Sequence, residues 1–148
     1  MNNKIPPPIV TLISGLAIYL SRNIFPNHYG IILDVFSALL LIFGIIIIRS
    51  AFLLFKNHKT TINPLNLTKT SLIVNTGVFK YTRNPMYLGM VFILLSVALK
   101  FNIYGGLIVI LIFFSFITKF QIIPEEKAME KLFGQEFKNY KKTTRRWL

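Results

Sequence analysis

The sequence predicts an all-α, polytopic membrane protein: about four transmembrane helices and a C-terminal amphipathic helix on the cytoplasmic side. Hydrophobic residues make up 53% of its 148 positions and charged residues only 15%, a balance suited to lipid rather than water. The apolar residues fall into four blocks separated by polar turns, and the basic residues are distributed very unevenly between the two ends of those blocks. The length is that of one domain, residues 1–148.

The first span is placed at residues 6–25. Its apolar core, Pro8 to Leu20, is short of the ~20 residues a crossing needs, so it is expected to extend through Ile24 and Phe25. Lys4 ahead of such a block also suits a secretory leader, but no small-residue cleavage site follows. The second span, residues 31–55, is long enough to cross with tilt. The third and fourth, 86–100 and 103–119, are joined by so short a link that they must form a helical hairpin. Residues 56–85 and 120–148 are polar. In the latter, Pro124 suits a first helical position, and Glu125 and Glu126 sit where a helix dipole favours anions. Met129, Leu132, Phe133, Phe137 and Tyr140 then recur at helical spacing, with Gly134 as the weak point.

Four spans place 14 of the 17 Lys and Arg residues on the side that carries both termini and both polar segments; Arg22 and Lys100 lie opposite. The positive-inside rule makes that side cytoplasmic, as in a prokaryotic cell membrane. Arg49, about two turns from the cytoplasmic end of its helix, can snorkel there. A net charge of +12 would otherwise suggest nucleic acid, but so apolar a chain has little soluble surface for it; anionic lipid head groups are the expected counter-charge. The tail cations Lys138, Lys141, Lys142, Arg145 and Arg146 are expected to lie on that lipid surface. The absence of Cys excludes disulfides, thiolate metal sites and a cysteine nucleophile. Two His and five acids leave too few ligands for a metal cluster.

The acids are more informative than the cations. Glu125, Glu126, Glu130 and Glu136 follow the fourth span within twelve residues, and Asp34 lies near the outer start of the second. None is deep in a span, which argues against proton-coupled transport. Taken alone, the Glu cluster suits a solvated helix face as well as a site.

A second cytoplasmic segment supplies the context. Residues 71–89 read S-L-I-V-N-T-G-V-F-K-Y-T-R-N-P-M-Y-L-G, and after the hairpin come Pro124-Glu125-Glu126 and Phe133-Gly134-Gln135-Glu136-Phe137 with Tyr140. This paired pattern resembles the isoprenylcysteine carboxyl methyltransferase and phospholipid methyltransferase superfamily of membrane enzymes. It covers about half of the chain, from Ser71 to Trp147, with matching spacing between its parts. The resemblance implies a small helical bundle that binds S-adenosylmethionine on the cytosolic side, beneath the C-terminal segment. A lipophilic small molecule or a lipid would be the methyl acceptor. By the same resemblance, Ser71, Leu72, Ile73, Val74 and Phe79 form one wall of the cofactor pocket. Asn84, Pro85, Met86 and Tyr87 form the turn closing over it, and Glu125 contacts the cofactor. Arg83 and Glu126 match motif positions where support and contact are both open roles.

The chemistry is compatible with these residue types. Methyl transfer from a sulfonium is an in-line displacement with a neutral leaving group, so it needs orientation and exclusion of water rather than a metal. Gln121 stands where carboxyl-methylating relatives carry an Arg, and an amide cannot supply a bidentate charged fork. A carboxylate acceptor is therefore disfavoured. An amine or thiol acceptor needs a base, for which Glu125, Glu126, Tyr87 and His58 are the candidates; His28 falls on the other side. Four spans are few for the family, so a second subunit of a homo-oligomer would have room to complete the substrate pocket. The competing expectation is a non-enzymatic four-helix membrane protein, either a transporter or a lipid-binding scaffold.

Overall fold

The computed structural model describes residues 5–26, 30–58 and 72–148, and all regular elements among them are helical. Helix α1 (Pro7–Leu20) is followed by a 3-10 turn at Ser21–Asn23, then α2 (Ile31–Asn57) and a second 3-10 turn at Gly77–Lys80. Then come α3 (Pro85–Phe101), α4 (Ile103–Ile117), a π turn (Thr118–Ile122), α5 (Ile123–Phe133) and α6 (Gln135–Thr143).

Helix α2 has 27 residues and the continuous helix Ile103–Phe133 has 31. At ~1.5 Å per residue both exceed a ~30 Å hydrocarbon core. Helix α3 is apolar but has 17 residues, and α1 has 14. The first helix is thus shorter than its expected 6–25 span. It ends at Leu20 because the Ser21 hydroxyl turns back onto the Ile18 carbonyl at 2.9 Å, and the Asn102 amide holds the Ser21 carbonyl at 2.9 Å.

Contacts at the two ends of the bundle fix an up-down arrangement. At one end Lys100 meets Asp34 at 2.7 Å and Tyr19 packs edge-on against Phe101. At the other the Gln121 amide donates to the Ile5 carbonyl at 2.8 Å. The hairpin between α3 and α4 turns on Asn102 alone, whose side chain accepts from Gly105 N and so caps α4.

The main core joins three helices: Ile18 from α1, Met90, Leu94 and Ala98 from α3, and Ile110, Phe113 and Ile117 from α4, with Ile122 beyond. Outside it the usual polarity is inverted. Leu12, Ile32, Phe36, Leu111 and Ile112 are all more than half exposed, as side chains solvated by lipid should be.

Helix α2 packs on α3 through small residues. The Ser37 hydroxyl donates to the Ser96 carbonyl at 3.0 Å, and the backbones meet where Gly44 faces Gly89. A Cβ built on Gly89 would lie 2.7 Å from the Gly44 carbonyl oxygen and 2.6 Å from Ile48 Cγ1. This close approach gives the glycine that ends the Arg83–Gly89 motif a physical reason. Gly89→Ala is therefore expected to lower stability by about 1–3 kcal/mol through overpacking, read as a lower melting temperature by circular dichroism in detergent.

One expectation is corrected by the path of the chain after α4. Pro124 does not open a separate amphipathic helix, because α4 continues through the π turn into α5. A proline inside a helix crowds the carbonyl four residues back, and the wider π turn just ahead of it accommodates that crowding. The break comes instead at Gly134, whose φ of +52° is accessible to glycine at little cost. The expected amphipathic helix is consequently two, α5 and α6.

Candidate active site

The end of the bundle formed by the start of α3, the start of α5 and the last residues of the chain holds a concentrated polar network. Pro85 at the first position of α3, with fixed φ and no N–H to satisfy, starts that helix. Tyr87 then lies in its first turn. About 20 residues of the Ile103 helix cross ~30 Å, so Glu125 and Glu126 project beyond the hydrocarbon. Adjacent on α5, they point about 100° apart, and the two carboxylates have different partners.

Glu125 Oε1 accepts from Tyr87 Oη at 2.6 Å. Burial pushes the Glu125 carboxyl up to about 7; the Tyr87 hydrogen bond opposes the shift and the neighbouring Glu126 charge reinforces it. No cation is paired with Glu125 among the described residues. Glu126 is placed between two guanidinium groups: Arg83 Nη2 to Oε1 and Arg146 Nη2 to Oε2, both at 2.7 Å. Burial works to raise its pKa, but the hydrogen bonds from Arg146 and Arg83 prevail and hold the carboxyl below its ordinary value.

The same arginine fixes the tail. Arg83 N donates to the Arg145 carbonyl at 3.0 Å, and its Nη1 donates to the carbonyls of Lys141 and Thr144. Thr82 Oγ1 and Asn84 Nδ2 donate to the Arg146 carbonyl at 3.2 and 2.9 Å. Tyr140 Oη donates to the Phe79 carbonyl at 2.7 Å, and Trp147 stacks on Phe114 with ring centroids 4.3 Å apart. Residues 144–147 thus lie as a strap across residues 82–84.

The sequence-predicted residues fall into three groups. Arg83, Asn84, Pro85, Tyr87, Glu125 and Glu126 belong to the network or directly adjoin it. Val74 and Phe79 are buried in a cluster with Ala51, and Leu54, Phe55 and Met86 pack against it. Ile73 belongs to another cluster, with Phe137 and Tyr140, and lines a cavity of about 410 Å³ together with Asn75, Lys80, Glu136 and Asn139; neither Tyr87 nor Glu125 lines it. Leu72 is exposed, and Ser71 and His28 lie outside the described residues. Gln121, buried at the end of the π turn, bonds the backbone of Ile5. His58 ends α2 and takes no part in the network.

Arg146, Thr82, Tyr140 and Trp147 were not legible as site residues. Arg146, expected on the lipid surface, instead turns inward onto Glu126; Lys138 and Lys141 pair with Glu130. No local pattern marks such a residue: it follows the last helix, and its partner is 20 positions away.

Fold and site together define an all-helical membrane protein with a buried charged network at one end of its bundle. The family model for phospholipid methyltransferases matches residues 33–136, over two thirds of the chain. The chain belongs to that family and is a membrane methyltransferase. It is also similar to an uncharacterized protein of Haemophilus influenzae, 40% identical over 63 residues, covering 43% of this chain and 100% of the relative. No solved structure matches it.

Proposed function

We propose that the chain is an integral membrane S-adenosylmethionine-dependent methyltransferase, a single domain over residues 1–148, acting on a lipophilic or lipid-like acceptor from the cytoplasmic leaflet of the cell membrane. Both termini and residues 56–85 would face the cytoplasm. The observation that carries this reading is Glu125: a half-buried carboxylate without a paired cation among the described residues, held by Tyr87 at the junction of the two motif segments. Such a group is suited to a cationic ligand, since a cation beside it would offset its burial.

The bound cofactor would supply an electrophilic methyl group whose departure leaves a neutral thioether. Glu125 would hold the cofactor's positive end, with Tyr87, Asn84, Pro85 and Met86 around it. Ser71, Leu72, Ile73, Val74 and Phe79 are carried as a further wall by the resemblance alone, since Val74 and Phe79 pack in one separate cluster and Ile73 in another. Arg83 and Glu126 would act as positioning residues, because their bonds hold the strap of residues 144–147 across the start of α3 and so limit water entry. Gln121 would shape the floor by anchoring Ile5. For an amine or thiol acceptor, Glu125 through the Tyr87 hydroxyl is the best-placed proton acceptor.

Calorimetric titration of the purified protein with S-adenosylhomocysteine tests the assignment. Saturable binding is expected, and Glu125→Ala should weaken it by on the order of tenfold or more, as expected for removing a charged hydrogen-bond partner. Absence of binding, or equal binding by the variant, would refute the assignment.

A further inference from the structure

Arg49 is a charged residue on the lipid-facing side of an apolar helix, and among the described residues no anion pairs with it. It is exposed on α2. One turn before and after it, Ile45, Ile46, Phe52 and Leu53 are each at least 41% exposed. The opposite side of α2, with Ser37, Gly44, Ile47 and Ala51, is the buried one.

All five acids of the chain are among the described residues, and none reaches Arg49. Asp34 pairs with Lys100, Glu126 with Arg83 and Arg146, and Glu130 with Lys138 and Lys141. Glu125 is held by Tyr87, and Glu136 lies at the start of α6. A guanidinium at membrane depth without a counter-anion is costly. Arg49 lies eight residues before the end of α2 at Asn57, about 12 Å along the axis. That places its head group within snorkelling reach of the phosphate layer.

We infer that Arg49 holds the phosphate of one phospholipid against the outer side of α2, with the acyl chains lying along the Ile45, Ile46 and Ile42 stripe. The planar fork of arginine matches a phosphate bidentately. The height of the site has a further meaning: the preceding residue, Ile48, lies against Gly89, two positions from Tyr87. A phosphate on Arg49 therefore sets a lipid head group level with the Tyr87–Glu125 pair. The inference rests on the membrane placement of α2 and not on methyl transfer.

Native mass spectrometry of detergent-purified full-length protein tests it, with dioleoylphosphatidylglycerol and dioleoylglycerol as probes. Retention of one phospholipid is expected, weakened on the order of tenfold in Arg49→Leu, less in Arg49→Lys, with dioleoylglycerol retention equal in all three. Thermal melting of Arg49→Leu should match the parent, because no bond to Arg49 is found among the described residues. Equal phospholipid retention by Arg49→Leu would overturn the inference. So would displacement of the lipid by millimolar inorganic phosphate, which would make free phosphate the ligand, or a melting drop beyond a few degrees, which would reveal an intrachain partner.

Discussion

Glu126→Gln is expected to destabilise the protein by about 3–5 kcal/mol, the cost of leaving a buried guanidinium without its counter-ion. The Arg83 and Glu126 side chains are only 9% and 10% exposed, whereas Arg146 is 38% exposed. The Arg83 arm therefore carries most of the effect, and the Arg146 arm is discounted for solvent screening. Arg146→Gln should accordingly cost about 1 kcal/mol or less. In thermal melts the two variants should separate clearly, with a fall on the order of 10 °C for Glu126→Gln. The strap supplies an independent readout. Once Arg83 loses its carboxylate, its bonds to the carbonyls of Lys141, Thr144 and Arg145 should loosen, and limited trypsin digestion should cut at Arg145 and Arg146 sooner than in the parent. Equal melting and equal protection of the tail in Glu126→Gln would show that the network does not hold the strap.

Binding of the cationic methyl donor is expected to tighten as pH rises through about 7, the value to which burial lifts Glu125. Because the folded-state pKa lies above the unfolded one, the folded protein retains a proton on this residue that the unfolded chain gives up earlier. The corresponding stability is present in full below the unfolded value and is lost as pH rises through about 7. A cation delivered to the ionised carboxylate offsets that loss. The melting-temperature gain from added S-adenosylmethionine should therefore be larger at pH 8 than at pH 6. Titration calorimetry should show the affinity falling roughly tenfold from pH 8 to pH 6, as one required ionisation with a pKa near 7 dictates. Glu125→Gln should flatten the profile. A native profile already flat between these values would mean that Glu125 does not meet the donor's positive charge.

Much of this fold was legible because lipid imposes strong rules on composition. The apolar block behind α2 and the tight joint at Asn102 both follow from segment length and polarity, and neither depends on distant partners. The start of α3 was equally legible, since Asn84-Pro85 fixes local backbone geometry whatever surrounds it. Gly134 was visible as a weak point, but whether a glycine interrupts a helix or merely weakens it depends on the packing of Phe137 and Tyr140 against Ile73, a long-range matter. Arg83 and Glu126 were legible as motif positions with support and contact both open, but not as partners of each other. The inward turn of Arg146 was not legible either. Its neighbours Arg145, Lys142 and Lys141 look alike in sequence, and the choice among them is made by the carbonyl bonds from Thr82, Arg83 and Asn84 that hold the strap.

The π turn at Thr118–Ile122 also acts as a phase adjuster. An extra residue in one turn advances everything that follows by about 100° around the helix axis. The sequence before the turn is therefore free to present Ile110, Phe113 and Ile117 to the core on one register, while the sequence after it presents Glu125 to Tyr87 on another. A single unbroken helix thus serves two environments, one side set by lipid and packing and the other by charge, and the angle between them is set by that one widened turn.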